Sequence, residues 1–352
     1  MCYNNYRWCI CVAYYDGTKL LSMLDINGKR PEIYMCTTNR TGGKTCYFSG
    51  MLVRRFKKTR EKFMLIYRYK YELEDCADKF FKDIRGIWFP GDNMTSKSMG
   101  VFQKLFLNDV ECGYAVSINQ AEAVKKYAHL FSDTGAMFMD EFQSETNTYA
   151  TNEVKKFISI HTSVARGQGE QVRYVPVYMC ANPVSLLNPY YIEMGISERL
   201  RKETRFLKGD GFVLEQGYVD SAAEAQKGSA FNRAFAKNDY VAYAGQGVYL
   251  NDNVAFIGRP EGVSRYIATL RYCGKNYAIR EYPHLGFMYC DDKADDYYPV
   301  RITVTTEDHE VNYVMLRRSD AMLSQFRYFF ELGAFRFKNL SCKEAVLKAL
   351  AY

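Results

Sequence analysis

Residues 32–45 read EIYMCTTNRTGGKT. Glu32–Thr38 predicts a buried strand, and from Lys44 onward Phe48, Leu52 and Phe56 recur at helical spacing. A strand that turns through Gly42-Gly43 into a helix aims backbone N–H groups and the helix N-terminus at one point, which suits the phosphates of a nucleotide. In that arrangement Lys44 contacts the β- and γ-phosphates and Thr45 holds Mg²⁺. The pattern G-x-x-x-x-G-K-[ST] is incomplete, because Thr38 stands where its first glycine belongs. The loop runs Thr38, Asn39, Arg40, Thr41, Gly42, Gly43, Lys44, Thr45. A surface turn ahead of a helix is the competing explanation.

A second stretch weighs against that explanation. Ala136–Met139 is wholly apolar and is followed by Asp140 and Glu141. A buried parallel strand with two carboxylates at its C-terminal end sets them beside the phosphates. Asp140 is expected in the Mg²⁺ shell, and Glu141 is expected to polarise the attacking water, so the chemistry is ATP hydrolysis. A third strand, Tyr174–Ala181, ends at Asn182, whose amide could sense the γ-phosphate or simply begin the turn before Pro183. Hydrolysis also calls for positive charge beyond Lys44. Arg40 lies inside the loop and could act in cis. Arg166 ends the amphipathic pattern Glu153–Arg166 and precedes Gly167-Gln168-Gly169, a placement that suits action on a neighbouring subunit. Arg68 is a third candidate. A solvated surface arginine is the alternative for Arg40 and Arg166.

Outward from these motifs, residues 1–198 alternate strands and helices. Lys62–Arg68 reads as a strand, Tyr71–Ile84 and Gln120–Leu130 as helices, and Val101–Ile118 as a hairpin split near Asn108-Asp109. That alternation predicts an α/β domain with a mainly parallel sheet flanked by helices. Residues 199–250 begin with the basic run Arg199–Lys208, turn rich in Ala, Gly and polar residues, and read as a linker or lid. Residues 251–352 read as a second, α+β domain. Its expected strands are Val254–Gly258, Tyr266–Tyr272, Asn276–Glu281, Gly286–Cys290 and Val300–Thr305, with a hairpin turn at Gly274-Lys275. Two helices follow, near Arg318–Glu331 and Cys342–Leu350.

Composition narrows the class. Hydrophobic residues make up 48% of the 352 and aromatics 16%, so the chain is globular rather than disordered. A formal charge of +7 admits an anionic partner such as nucleic acid. Eleven cysteines without C-x-x-C, and isolated histidines at 129, 161, 284 and 309, point to reduced thiols in a cytosolic compartment and away from structural zinc. Asn4, Asn5 and Arg7 interrupt any signal-peptide core, and no run reaches the roughly 18 apolar residues of a membrane helix, so a soluble protein is expected.

Thr-x-Arg-x-x-Gly-Lys-Thr at 38–45, the Asp-Glu-Phe ending at Phe142, and Cys180-Ala181-Asn182-Pro183-Val184-Ser185 with Asn188-Pro189-Tyr190 resemble the DNA-packaging ATPases of small protein-primed, phi-twenty-nine-like podophages, relatives of large terminases. The resemblance spans most of the chain and is most specific between Met139 and Tyr190. It implies an ASCE-type ATPase domain and a C-terminal domain of RNase H-like fold without nuclease activity. It also implies a homo-oligomeric ring, expected to be a pentamer, docked on the portal of an empty prohead in the host cytoplasm. The ring would drive double-stranded DNA inward with ATP and Mg²⁺, with a packaging RNA as a further candidate partner. In such a ring Arg166 matches an arginine that acts in trans, and Lys125 or Lys126 lies near a second cation. The runs Arg54–Lys62 and Arg199–Lys208, together with Lys275, are candidate contacts to DNA phosphates. Two alternatives stay open: a nucleic-acid helicase on the same core, and a headful terminase whose nuclease uses Asp291, Asp292, Asp295 and Asp296.

Overall fold

Strands buried on both faces pair in parallel where helices can cover them, and the short apolar runs of this chain do so. The computed structural model describes residues 14–146, 148–167, 169–185, 188–196, 199–200, 204–236, 255, 257–317 and 319–351. The strands β1 (Ile33–Thr37), β2 (Lys62–Tyr67), β3 (Met94–Ser98), β4 (Gln103–Leu107), β5 (Val110–Ser117), β6 (Thr134–Asp140), β7 (Val177–Ala181), β8 (Phe206–Gly209) and β9 (Phe212–Gln216) form one nine-stranded sheet. Its order is β3-β4-β5-β2-β6-β7-β1-β9-β8. The six strands from β5 to β9 in that order are mutually parallel, and β3, β4 and β8 are antiparallel additions at the edges.

The helices before and between these strands are α1 (Thr18–Ser22), α2 (Lys44–Thr59), α3 (Cys76–Trp88), α4 (Ala121–Lys125), α5 (Glu153–Val164) and α6 (Pro189–Glu193), followed by α7 (Asp220–Gly228) and α8 (Ala230–Ala234). Alternate strand residues feed two cores. Tyr34, Cys36, Phe63, Leu65 and Phe138 meet Phe48, Leu52 and Phe56 of α2 and Phe80 and Phe81 of α3 on one face. Met35, Met64, Ile66, Met137 and Met139 meet Phe157 and Ile160 of α5 and Tyr190 and Tyr191 of α6 on the other. The period-2 alternation of the strands thus supplies both helical layers.

Several expectations shift in detail. The helix expected over Tyr71–Ile84 is a 3-10 turn, Lys70–Leu73, followed by α3, because Asp75 adopts a left-handed conformation between them. Gln120–Leu130 is likewise divided, into α4 and a 3-10 turn at Ala128–Phe131. The hairpin at Asn108-Asp109 stands: both residues have positive φ, as a two-residue turn between twisted strands requires. The larger difference lies in 199–250. Within that stretch β8 and β9 belong to the main sheet, and β9 pairs in parallel with β1 over Ile33–Thr37. Only Phe212, Val213 and Leu214 mark β9 as apolar, too short a run to stand out beside its basic and polar neighbours. The basic run Arg54–Lys62 is engaged within the chain: Arg55 pairs with Glu61, Lys57 with Asp92, and Lys62 with Glu111 and Asp133, while Arg54 lies over the Trp88 ring.

The second sheet contains β10 (Arg265–Tyr272), β11 (Lys275–Tyr282), β12 (Phe287–Asp291), β13 (Arg301–Thr303), β14 (Val314–Met315) and β15 (Phe335–Phe337), in the order β14-β13-β10-β11-β12-β15. The β10–β11 turn is Cys273-Gly274, one residue earlier than expected, with positive φ at both positions. Of the expected strand Val254–Gly258, Val254 and Phe256 lie outside the described residues; Ala255 and Ile257 exchange backbone hydrogen bonds with Phe337 of β15. Among the described residues the antiparallel meander runs β10-β11-β12. Helices Ala321–Glu331 and Leu340–Ala351 close this core. The last helix also joins the two halves: Lys343 Nζ donates to Ser185 Oγ at 3.0 Å, and Lys348 pairs with Glu193 of α6 at 2.5 Å.

Candidate active site

The loop after β1 is shaped by steric necessity. Thr38 N–H still bonds to Ala181 O of β7, so the sheet runs up to the loop. A Cβ on Gly42 would lie 3.0 Å from both Thr38 Oγ1 and Val219 Cγ2. Gly43 has φ 88° and abuts the Tyr14 ring, so a side chain there would be both strained and crowded. The Thr38 hydroxyl donates to Asn39 O, and the Asn39 amide brackets the Val219 backbone, donating to its carbonyl at 3.1 Å and accepting from its N–H at 2.9 Å. Of the expected loop contacts, the Thr38 and Asn39 side chains therefore brace the loop, while Arg40, Thr41, Lys44 and Thr45 face the pocket. Lys44 opens α2 and is buried.

Two strands away, β6 delivers Asp140 and Glu141 to the same end of the sheet, with β7 between β6 and β1. The Thr45 hydroxyl lies beside the Asp140 carboxylate and favours its charged form. Two adjacent hard oxygen donors of this kind suit Mg²⁺. Desolvation raises the Asp140 carboxyl above its ordinary pKa, against the Lys44 charge and the Thr45 hydroxyl. Glu141 takes a left-handed backbone conformation, φ 57°, with its N–H on Asp140 Oδ1 at 3.0 Å. Desolvation, then the charges of Asp140 and Glu145, raises the Glu141 carboxyl, while Arg40 and Lys44 oppose them. Behind it, Arg68 Nη2 donates to Glu141 O at 3.1 Å and Phe142 O at 3.0 Å, and its Nε spans both oxygens of buried Glu153 at 2.9 and 3.1 Å. Arg68 is thus a support for the carboxylate turn and not a loose arginine.

Asn182 Oδ1 accepts from Lys44 Nζ at 2.7 Å, and Asn182 Nδ2 donates to Glu145 Oε1 at 3.1 Å. Arg40 pairs with the same Glu145 oxygen. The chain Lys44–Asn182–Glu145–Arg40 closes one wall of a pocket of about 360 Å³, whose lining also includes Thr41, Thr45, Asp140, Glu141, Gln226, Phe231 and Asn232. Glu145 went unnoticed in the sequence; its only signal is a third carboxylate just after Asp140-Glu141. Gln226, Phe231 and Asn232 carried no signal at all. Arg166 is not in this pocket. It sits beyond the last turn of α5, with Nε on Thr162 O at 3.3 Å and its side chain exposed. The 12 residues of α5 span about 18 Å and run back toward the amino ends of the strands, where Arg173 bonds to Thr134 O. In the other half, Asp291 is buried against Arg280, Asp292 pairs with Lys338 and Asn339, and Asp296 accepts from Asn276. Among the described residues no group of three His, Cys, Asp or Glu is arranged to hold a metal ion.

The chain is 24% identical over 315 residues to the DNA packaging protein of Bacillus phage phi29, covering 88% of this chain and 89% of that protein. It is 21% identical over 276 residues to the DNA packaging protein of Bacillus phage B103, covering 78% and 82%. In structure it resembles the bacteriophage phi29 viral genome packaging motor assembly, with TM-score 0.56 at 22% identity over 97% of this chain and 98% of that one. The Phi-28 gp11 DNA packaging motor gives TM-score 0.60 at 14% identity and the same coverage. The family model described as podovirus DNA encapsidation protein (Gp16) matches residues 12–350, nearly the whole chain, and the protein belongs to that family.

Proposed function

We propose that this protein is the ATP-hydrolysing subunit of a motor that drives double-stranded viral DNA into an empty prohead. One observation carries the enzymatic part: a single pocket gathers Lys44, Thr45, Asp140, Glu141 and Asn182 at the carboxyl ends of parallel strands. That strand order, with one strand between the loop strand and the carboxylate strand, supports an ASCE-type core. Lys44 and the backbone N–H groups of Arg40–Thr45 bind the phosphates. Thr45 and Asp140 would hold Mg²⁺, which would supply charge neutralisation on the phosphates. Glu141 orients and deprotonates the attacking water, and its raised pKa equips it as a base. Asn182 links Lys44 to the Glu145–Arg40 pair, a position from which it reports on the γ-phosphate side of the pocket.

Arg166 supplies its charge to the neighbouring subunit's pocket in a ring, taken as a pentamer docked on the portal. Its place at the far end of α5 from its own pocket supports action in trans. A packaging RNA is a candidate third partner. In the second half, an antiparallel meander extended beside its first strand by two parallel strands supports an RNase H-like domain, and the engaged aspartates there favour a vestigial over an active nuclease.

The test is ATPase turnover with and without empty proheads and DNA. Stimulation by the two together is expected. Lys44→Ala should lose nucleotide affinity, whereas Glu141→Gln should bind ATP and not turn it over. Near-normal hydrolysis by Glu141→Gln would remove Glu141 from the mechanism.

A further inference from the structure

The pocket continues past the phosphate loop to a wall that neither binds phosphate nor holds metal. That wall is Gln226 at the end of α7 and Phe231 and Asn232 of α8. The wall is fixed to the loop at two points. Asn39 clamps Val219, the residue that leads into α7, and Gln226 Nε2 approaches Thr41 Oγ1 at 3.4 Å. The sheet order puts β9, which leads into α7, on the opposite side of β1 from the strand that carries Asp140. The carboxylates and the α7–α8 wall therefore flank the phosphate loop on opposite sides.

The side chains of this wall are those that read a flat heterocycle. Phe231 is 70% exposed although it lines a pocket, and its ring packs on Phe235 with centroids 5.0 Å apart. A ring tilted by 47° against its neighbour and still largely exposed is a stacking platform. The amides beside it are ordered. Asn232 Nδ2 donates to the backbone carbonyl of Gln226 at 2.8 Å and to Gln226 Oε1 at 2.6 Å. A backbone carbonyl only accepts, so the Asn232 atom facing it is the NH₂ group. The Gln226 atom facing that same NH₂ must then be oxygen. Gln226 consequently presents an acceptor and a donor in a fixed order, and reversing them would set two NH₂ groups against each other.

We propose that Gln226, Phe231 and Asn232 form the base-recognition site of this ATPase, with adenine stacked on Phe231 and paired with the Gln226 amide. The assignment rests on the ATP reading above. Adenine offers an amino donor beside a ring-nitrogen acceptor, the complement of an amide. Guanine carries an acceptor where adenine carries its amino group, so an amide locked by Asn232 discriminates between them.

The test is direct binding by calorimetry to the full-length Glu141→Gln protein, which does not depend on turnover, with ATP, GTP and inorganic triphosphate as probes. Gln226→Ala and Phe231→Ala should each weaken ATP binding by about 5- to 150-fold and leave inorganic triphosphate unchanged. Asn232→Ala should narrow the ATP-to-GTP preference while circular dichroism remains that of the parent. If the Gln226 and Phe231 variants bind ATP as tightly as the parent while Lys44→Ala does not, the base assignment is wrong and the phosphate site stands. If the parent binds neither ATP nor inorganic triphosphate, the ATP reading itself falls.

Discussion

Replacing Arg68 tests the support beneath the carboxylate turn. Its guanidinium side chain is 10% exposed and the Glu153 side chain 1%, so the pair is withdrawn from water. Glu153 also accepts from Tyr190 Oη at 2.9 Å and Ala150 N–H at 2.7 Å. Arg68→Ala strips that network of the one cation among its described members and leaves a buried carboxylate with the neutral partners Tyr190 and Ala150. Breaking a buried pair from one side costs about 3–5 kcal/mol. Against a total stability of roughly 5–15 kcal/mol, that is a large fraction. Arg68→Lys keeps the charge but cannot bridge both Glu153 oxygens and two backbone carbonyls. It should cost less, about 1–3 kcal/mol, and should lower kcat while leaving ATP affinity intact, because the Glu141 and Phe142 carbonyls lose their donor. Joint replacement, Arg68→Met with Glu153→Gln, removes both charges and should recover more than half of the Arg68→Ala loss. Urea unfolding followed by tryptophan fluorescence measures these differences. An Arg68→Ala midpoint within error of the parent would show that the pair contributes nothing and refute the reasoning.

Other outcomes follow from the same geometry. Because the Glu141 carboxyl titrates above its ordinary value of 4.5, it is protonated at a higher pH than a free glutamate, so kcat/KM should fall on acidification at a pH above that value. Glu145→Gln removes a like charge and should move that acidic limb to lower pH; an unmoved or raised limb would contradict the assigned cause. Mixing Arg166→Ala with Lys44→Ala subunits should restore some hydrolysis that neither has alone, since each keeps what the other lacks at a shared boundary; mixed rings without rescue would take Arg166 out of the site. Binding to double-stranded DNA should be independent of sequence and weaken with salt, each neutralised phosphate adding about 0.9 to the log–log slope; affinity that is constant across salt would argue against a phosphate-tracking surface.

The sequence by itself carried the two motifs that line one pocket in the fold. Gly42-Gly43-Lys44-Thr45 after an apolar strand, and Asp140-Glu141 at the end of another, are local patterns in which residue type and neighbouring periodicity suffice, and the structure brings them into one pocket. The hairpin at Asn108-Asp109 was legible for the same reason, since a two-residue turn depends only on its own backbone. What the sequence could not decide depends on residues far apart in the chain. Edge strand β8 and its partner β9 are too short and too mixed to signal a strand, and they exist because β1 offers β9 an unpaired edge. Arg40, Arg68 and Arg166 look alike as letters. Tertiary structure gives Arg40 a carboxylate 105 residues away, buries Arg68 against Glu153, and leaves Arg166 exposed at the far end of α5. A charged side chain's role is set by which opposite charge the fold carries to it, and only the packed chain contains that information.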